Sequence, residues 1–209
     1  MFEEVALPPD VDAIWWPRFT RLAPDFLRWE RERQDRVTAR RAEARAMPVL
    51  VGETGVTLSG YADRIDLLPA GFADILDYKT GSSPSKAQAH TLLAPQLALE
   101  GALLMRGAFQ PLGALKPDQL AYVRLKPNGS VEEDSILEIK GKSASVKSAE
   151  QLSNEAWARL EKLLDHYNNP EAGYVSRALP FKVGDFGGDY DHLARVLEWS
   201  SGPDAEDFE

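Results

Sequence analysis

Two strand-like runs, residues 56–68 and 72–80, are separated by three residues, Pro69-Ala70-Gly71. So short a link forces a reversal, and the runs are predicted to pair as an antiparallel hairpin with Gly71 in the left-handed position. Centring the turn on Ala70 fixes the register and sets Asp63 opposite Asp77. Opposed side chains share a face, with Cβ atoms about 4.5–5.5 Å apart. Alternation along the second strand brings Lys79 to the face of Asp77. Nearer the turn that face carries Ile65, Leu67, Ala73 and Ile75. Apolar at one end and charged at the other, it has the pattern of a core opening into a cleft. The same register sets Asp66 against Asp74 on the other face, with Arg64 diagonal to the pair, and a one-residue slip would put the two site aspartates on opposite faces.

Two neighbouring carboxylates repel, and a hard divalent cation is their natural neutraliser. Such a cation polarises a phosphoryl oxygen and lowers the pKa of a bound water. A nearby Lys79 ammonium can position that water or offset charge building on the phosphate. These are the parts of metal-assisted phosphodiester hydrolysis.

Composition narrows the metal. The 209 residues include no cysteine and three histidines, which removes disulfides, zinc–thiolate sites, iron–sulfur clusters and thiol catalysis. A cation held by carboxylates is Mg, Mn or Ca. With 44% hydrophobic and 27% charged residues the chain reads as an ordinary globular one, and no apolar run approaches a membrane span. The net charge of −9 argues against a simple basic DNA-binding surface. However, residues 183–209 alone carry −7, leaving −2 on the rest, and residues 28–45 carry +3. An acidic tail on a nearly neutral body leaves a polyanion partner possible.

Outside the hairpin, Trp15, Phe19, Leu22, Phe26 and Trp29 make one helical stripe, predicting a helix over 14–36 that tolerates Pro17 and kinks at Pro24. Residues 37–46 are ambiguous, with extension into a strand left open, and 49–51 read as a strand. Residues 82–85 form a loop and helix cap, and 86–106 is helical with a break at Pro95. Strands are expected over 120–125 and 135–140, a polar connection over 142–148, a helix over 150–167 and a short one over 192–199. Helices flanking a central sheet give an α/β (α+β) class. The expected organisation is one domain over 1–199, with its N-terminal helix, a catalytic sheet and helices over 49–125, and a C-terminal helical part over 150–199. Residues 200–209 read as an acidic, flexible tail. Lys79-Thr80-Gly81 lacks phosphate-loop spacing, and Asp189, Asp191 and His192 read as a capped helix start.

Taken together, Gly60-Tyr61-Ala62-Asp63-Arg64-Ile65-Asp66, Ile75-Leu76-Asp77-Tyr78-Lys79-Thr80-Gly81 and Gln96-Leu97 resemble the PD-(D/E)XK nuclease superfamily. Within it they resemble the RecB-like exonuclease branch and the AddB-type nuclease domains of helicase–nuclease complexes. Trp16-Pro17-Arg18-Phe19 and Gly188-Asp189-Tyr190-Asp191-His192-Leu193 extend the likeness. The resemblance implies a restriction-endonuclease-like mixed β-sheet with an antiparallel hairpin core and flanking helices. It implies Asp63, Asp77 and the backbone carbonyl of Tyr78 as ligands of Mg2+ (or Mn2+), and Lys79 as the catalytic lysine. Gln96, with Thr80 and Gly81, would contact nucleic acid. The implied activity is Mg2+-dependent cleavage of DNA in double-strand-break processing and recombinational repair. The implied setting is the cytoplasm, with an AddA-type helicase–nuclease subunit as partner and no membrane.

Two departures stand out. No histidine precedes Asp63, and Glu30, Glu32, Glu43 and Glu53 do not follow the glycine-led pattern of the family's upstream metal-site helix. The chain is therefore expected to be a fragment whose N-terminal part is missing. Glu100 replaces the family tyrosine four residues after Gln96. A nuclease-fold module that binds DNA or docks the AddA-type subunit without cutting is the alternative, and an interaction domain unrelated to nucleic acid is a third.

Overall fold

The computed structural model describes residues 9–141 and 144–173, with side chains from residue 14. The helix expected over 192–199, the 188–193 motif and the tail lie outside the described residues. Residue contacts divide the chain into units 1–164 and 165–209. The described part of the second unit is the last turn of a helix and the turn that follows it.

The first unit is mixed α+β, with a restriction-endonuclease-like five-stranded sheet ordered β1-β2-β3-β4-β5. Helix α1, Pro9–Gln34, precedes the strands β1, Ala39–Leu50; β2, Thr57–Leu67; and β3, Phe72–Lys79. These three form an antiparallel meander. The segment left ambiguous in the sequence is most of β1, which runs far beyond the expected 49–51. Its alternation is hidden because it is a mostly exposed edge strand. Helices α2, Lys86–His90, and α3, Gln96–Met105, then lead into β4, Lys116–Leu125. Strand β4 pairs parallel to β3. A parallel neighbour needs a crossover of a dozen residues or more, and the two helices supply it. Strand β5, Val131–Ser135, returns antiparallel to β4. The expected strand over 135–140 is displaced, because Asn128 and Gly129 turn the chain early. Two-residue strands β6, Glu138–Ile139, and β7, Ser145–Val146, pair beside it, and α4, Ala149–Tyr167, follows.

The helix boundaries follow local chemistry. Ser85 and Gln88 form a reciprocal capping box at the start of α2. Ser148 and Gln151 do the same before α4. Pro95 caps α3. Helix α1 runs on through both Pro17 and Pro24. Only the C-terminal half of its apolar stripe meets the sheet. Phe26 and Trp29 pack on Tyr78, whereas Trp15 and Phe19 are exposed.

The two sides of the sheet have different fillings. Ile65, Ala73, Ile75, Leu120 and Tyr122 pack with Leu97, Ala98 and Leu104 of α3 and with Leu152, Ala156 and Trp157 of α4. Leu76, Ala121 and Val123 pack with Trp29 of α1. That second side also holds buried charge. Arg33 donates to Asp66 at 3.2 Å, Asp74 at 2.6 Å and Glu133 at 2.7 Å. Arg64 donates to Asp66 at 2.7 Å, to the Tyr78 hydroxyl at 2.9 Å and to Glu30. The like-charge pair forced by the hairpin register is thus relieved by Arg64 from within the strand and by Arg33 from the helix. Burial raises the carboxyl pKa of Asp74, while Arg36 and Arg33 oppose that rise. For Arg64, burial alone would lower the pKa, but the bonds from Asp66, Glu30 and Tyr78 overcome it and hold it above its usual value.

Candidate active site

The β2–β3 hairpin has the register that its turn predicts: Arg64 faces Leu76, Ile65 faces Ile75, Asp66 faces Asp74 and Leu67 faces Ala73. Gly71 is left-handed with φ 79°, and Ala70 joins it at φ 59°. The ladder ends one residue short of Asp63 and Asp77. On the other side of β2 no pair forms between Glu43 and Asp63, where Glu43 turns to φ 49°. Strand β2 is thus open toward β3 at Asp63, while toward β1 the ladder resumes at once with Ala44 and Ala62. The Asp63 carboxylate spans the gap on one side, accepting the backbone N–H of Tyr78 at 2.9 Å. The expectation of two carboxylates paired across an intact ladder is corrected in this respect. The β3 backbone stays in register with β4 through Lys79, so it leaves β2 at that point.

Asp77 is 2% exposed and makes two contacts. Lys79 Nζ lies 2.7 Å from Asp77 Oδ2 as an ion pair. Gln96 Nε2 donates to Asp77 Oδ1 at 2.6 Å. The same nitrogen donates to Glu100 Oε1 at 3.1 Å. Lys79 also sits 5.8 Å from the centre of the Tyr122 ring, a cation–π contact. Tyr122 is placed there by the parallel ladder, which pairs it with Asp77. Thr80 and Gly81 follow at the exposed end of β3.

Glu100 and Tyr122 were not assigned to the site from the sequence. A signal existed for Glu100, since positions four apart on a helix share a face and Gln96 was already a candidate. Tyr122 carried none, because its place depends on a parallel pairing across the crossover. Burial pushes the Glu100 carboxyl up to about 8. The Gln96 hydrogen bond opposes this, and the charges of Asp77 and Asp63 add to it. Burial, then Asp77 and Glu100, push the Tyr122 hydroxyl up to about 12.

Among the described residues no three carboxylate or imidazole groups converge as a ready-made cation cluster. The donors present nevertheless suit Mg2+ or Mn2+. Mg2+ keeps several waters and takes one or two carboxylates, with substrate phosphate completing its shell. Asp63, Asp77 and the Tyr78 carbonyl are hard oxygen donors. Glu100 Oε2 and the Tyr122 hydroxyl are buried polar atoms without hydrogen-bond partners, and such atoms are rare unless something else satisfies them.

Comparison with known proteins gives the family. The family model of the PD-(D/E)XK nuclease superfamily matches residues 1–177. An uncharacterized protein of Rickettsia conorii is 27% identical over 176 residues, covering 77% of this chain and 21% of that protein. One from Rickettsia typhi is 27% identical over 122 residues, covering 57% and 14%. One from Rickettsia bellii is 28% identical over 104 residues, covering 49% and 12%. The chain spans at most about a fifth of the length of these curated relatives. The chain belongs to the PD-(D/E)XK nuclease superfamily.

Proposed function

We propose that this member of the PD-(D/E)XK nuclease superfamily hydrolyses DNA phosphodiester bonds with a divalent cation held by Asp63, Asp77 and the Tyr78 carbonyl. The observation that carries the reading is the Asp77–Lys79 ion pair at the open end of the hairpin, beside Asp63. When bound, Mg2+ or Mn2+ supplies Lewis acidity toward a phosphoryl oxygen and a more acidic water. Lys79 is the group that orients the attacking water or offsets charge on the phosphate. Its ammonium is already held at the site by Asp77 and the Tyr122 ring. Thr80, Gly81 and Gln96 lie at the exposed margin, where a nucleic-acid strand would run.

The exonuclease mode, the role in double-strand-break end processing and recombinational repair, and an AddA-type helicase–nuclease partner complete the proposal. They are supported by the RecB-like spacing of Asp63, Asp77, Lys79 and Gln96. A DNA substrate would place the protein in the cytoplasm. None of the described helices is long and apolar enough to cross a membrane. The test is Mg2+- or Mn2+-dependent degradation of end-labelled DNA. Asp77→Ala and Lys79→Ala should each slow it at least about 100-fold. Equal rates in wild type and Asp77→Ala would overturn the reading.

A second reading, a nuclease-fold module that binds DNA or docks the AddA-type subunit without cutting, is favoured by the lack of a ready three-ligand cluster among the described residues. Calorimetry with Mn2+ separates the two: DNA binding without cation binding selects the second.

A further inference from the structure

Gln96 and Glu100 stand one turn apart on α3. The side-chain amide of Gln96 has two N–H donors, and both are spent on carboxylates: Asp77 Oδ1 at 2.6 Å and Glu100 Oε1 at 3.1 Å. Gln96 itself is exposed, while Glu100 is 7% exposed and Asp77 2%. We propose that Glu100 is a positioning residue that holds the Gln96 amide, and through it the Asp77 carboxylate, in the orientation that binds the cation. This rests on the reading of Asp77 as a cation ligand.

The physical argument is one of amide orientation. An amide can turn over and present its oxygen where its nitrogen stood. Turned over, Gln96 would set an acceptor against the acceptor Asp77, and Asp77 would lose the hydrogen bond on Oδ1, keeping only the Lys79 ammonium on Oδ2. The Glu100 Oε1 acceptor selects the donor-inward state. It does so from a buried side chain on the same helix, whose motion is limited by packing. Glu100 makes no other hydrogen bond, and its Oε2 has no partner. This arrangement also leaves the Gln96 carbonyl oxygen as the amide's outward atom. Carboxylates that bind metal are commonly fixed by such outer hydrogen bonds, and removing one costs about 10–100-fold in metal affinity.

The experiment is Mn2+ titration of the full chain followed by the electron paramagnetic resonance of free Mn2+, with thermal melts as a check of folding. Glu100→Leu removes the acceptor and should weaken Mn2+ binding about tenfold. Glu100→Gln keeps an acceptor for Gln96 and should stay within about twofold of wild type. Gln96→Leu, at an exposed position, should match Glu100→Leu, and the double variant should be no weaker than either single one. Wild-type affinity in Glu100→Leu overturns the proposal, as does a loss in Glu100→Gln equal to that in Glu100→Leu. If Glu100→Leu does not fold, wild-type affinity in Gln96→Leu overturns it. Asp77→Asn reports separately on the parent reading: unchanged Mn2+ binding there would remove Asp77 as a ligand, whatever Glu100 does.

Discussion

The backbone N–H of Tyr78 donates to the Asp63 carboxylate at 2.9 Å, so β2 and β3 are joined by a side chain where their backbone ladder ends. Asp63 thus has a structural duty and a proposed chemical one, and the two separate by substitution. Asp63→Asn keeps an acceptor for that N–H and should leave stability within about 0.5 kcal/mol of wild type while abolishing cation-dependent cleavage. Asp63→Ala should lose cleavage and, in addition, about 1–2 kcal/mol of stability for the unpaired N–H. Urea unfolding beside a DNA-cleavage assay distinguishes the two variants.

Arg33 is the hinge of the buried charge on the α1 side of the sheet. Its guanidinium, 6% exposed, is the contact between α1 and both Asp66 and Asp74, each 0% exposed. Arg33→Met leaves Asp66 with Arg64 and Asp74 with the half-exposed Arg36 as remaining partners, so the loss should stay at or below the about 3–5 kcal/mol of a fully broken buried pair. Adding Asp74→Asn to Arg33→Met removes one of the two under-compensated charges and should recover part of that loss, as read from denaturation midpoints.

Glu100 gives a pH dependence whose sign is fixed. Its carboxyl is raised to about 8 in the folded chain from the ordinary 4.5. Between those values the folded state holds a proton that the unfolded state has released. This contribution to stability is complete below about pH 4.5 and declines as pH rises toward 8, by at most roughly 1.4 kcal/mol per pH unit. Glu100→Gln cannot titrate and should show a flatter stability profile between pH 5 and 8 in chelator-treated protein. Parallel profiles would refute this.

The approach of α3 to α4 depends on Gly101. A Cβ there would lie 2.2 Å from Ser153 Oγ and 3.3 Å from Ser153 Cβ. Ser153 is buried and donates to the Ala149 carbonyl at 2.7 Å, so it has little room to move. Gly101→Ala should destabilise by about 1–3 kcal/mol. Gly101→Ala combined with Ser153→Ala removes the closer of the two clashes and should recover most of the loss in thermal melts.

Much of the site was legible because its specification is local. Pro69-Ala70-Gly71 set the turn, the turn set the register, and the register placed Asp66 against Asp74, with Asp63 and Asp77 one residue beyond the end of the ladder. The capped start of α2 was equally local, whereas the Ser148 cap of α4 went unread within a polar connection. Strand β1 was only partly legible, its end read as a strand and the rest left ambiguous, since an exposed edge strand lacks the alternation that marks a half-buried one. The burial of α1 was half legible: its apolar stripe is continuous in sequence, but only Phe26 and Trp29 reach the sheet.

The sequence by itself determined the hairpin, its register and the family, because turn chemistry and period-two alternation act over a few residues. Tertiary structure alone decided that Arg33 would quench Asp66 and Asp74 from 33 and 41 positions away. It alone brought Tyr122 beside Asp77 and turned Glu100 inward toward Gln96. The reason is that pairing across a crossover, and the face a helix presents, are fixed by packing over the whole domain, and no local pattern records them.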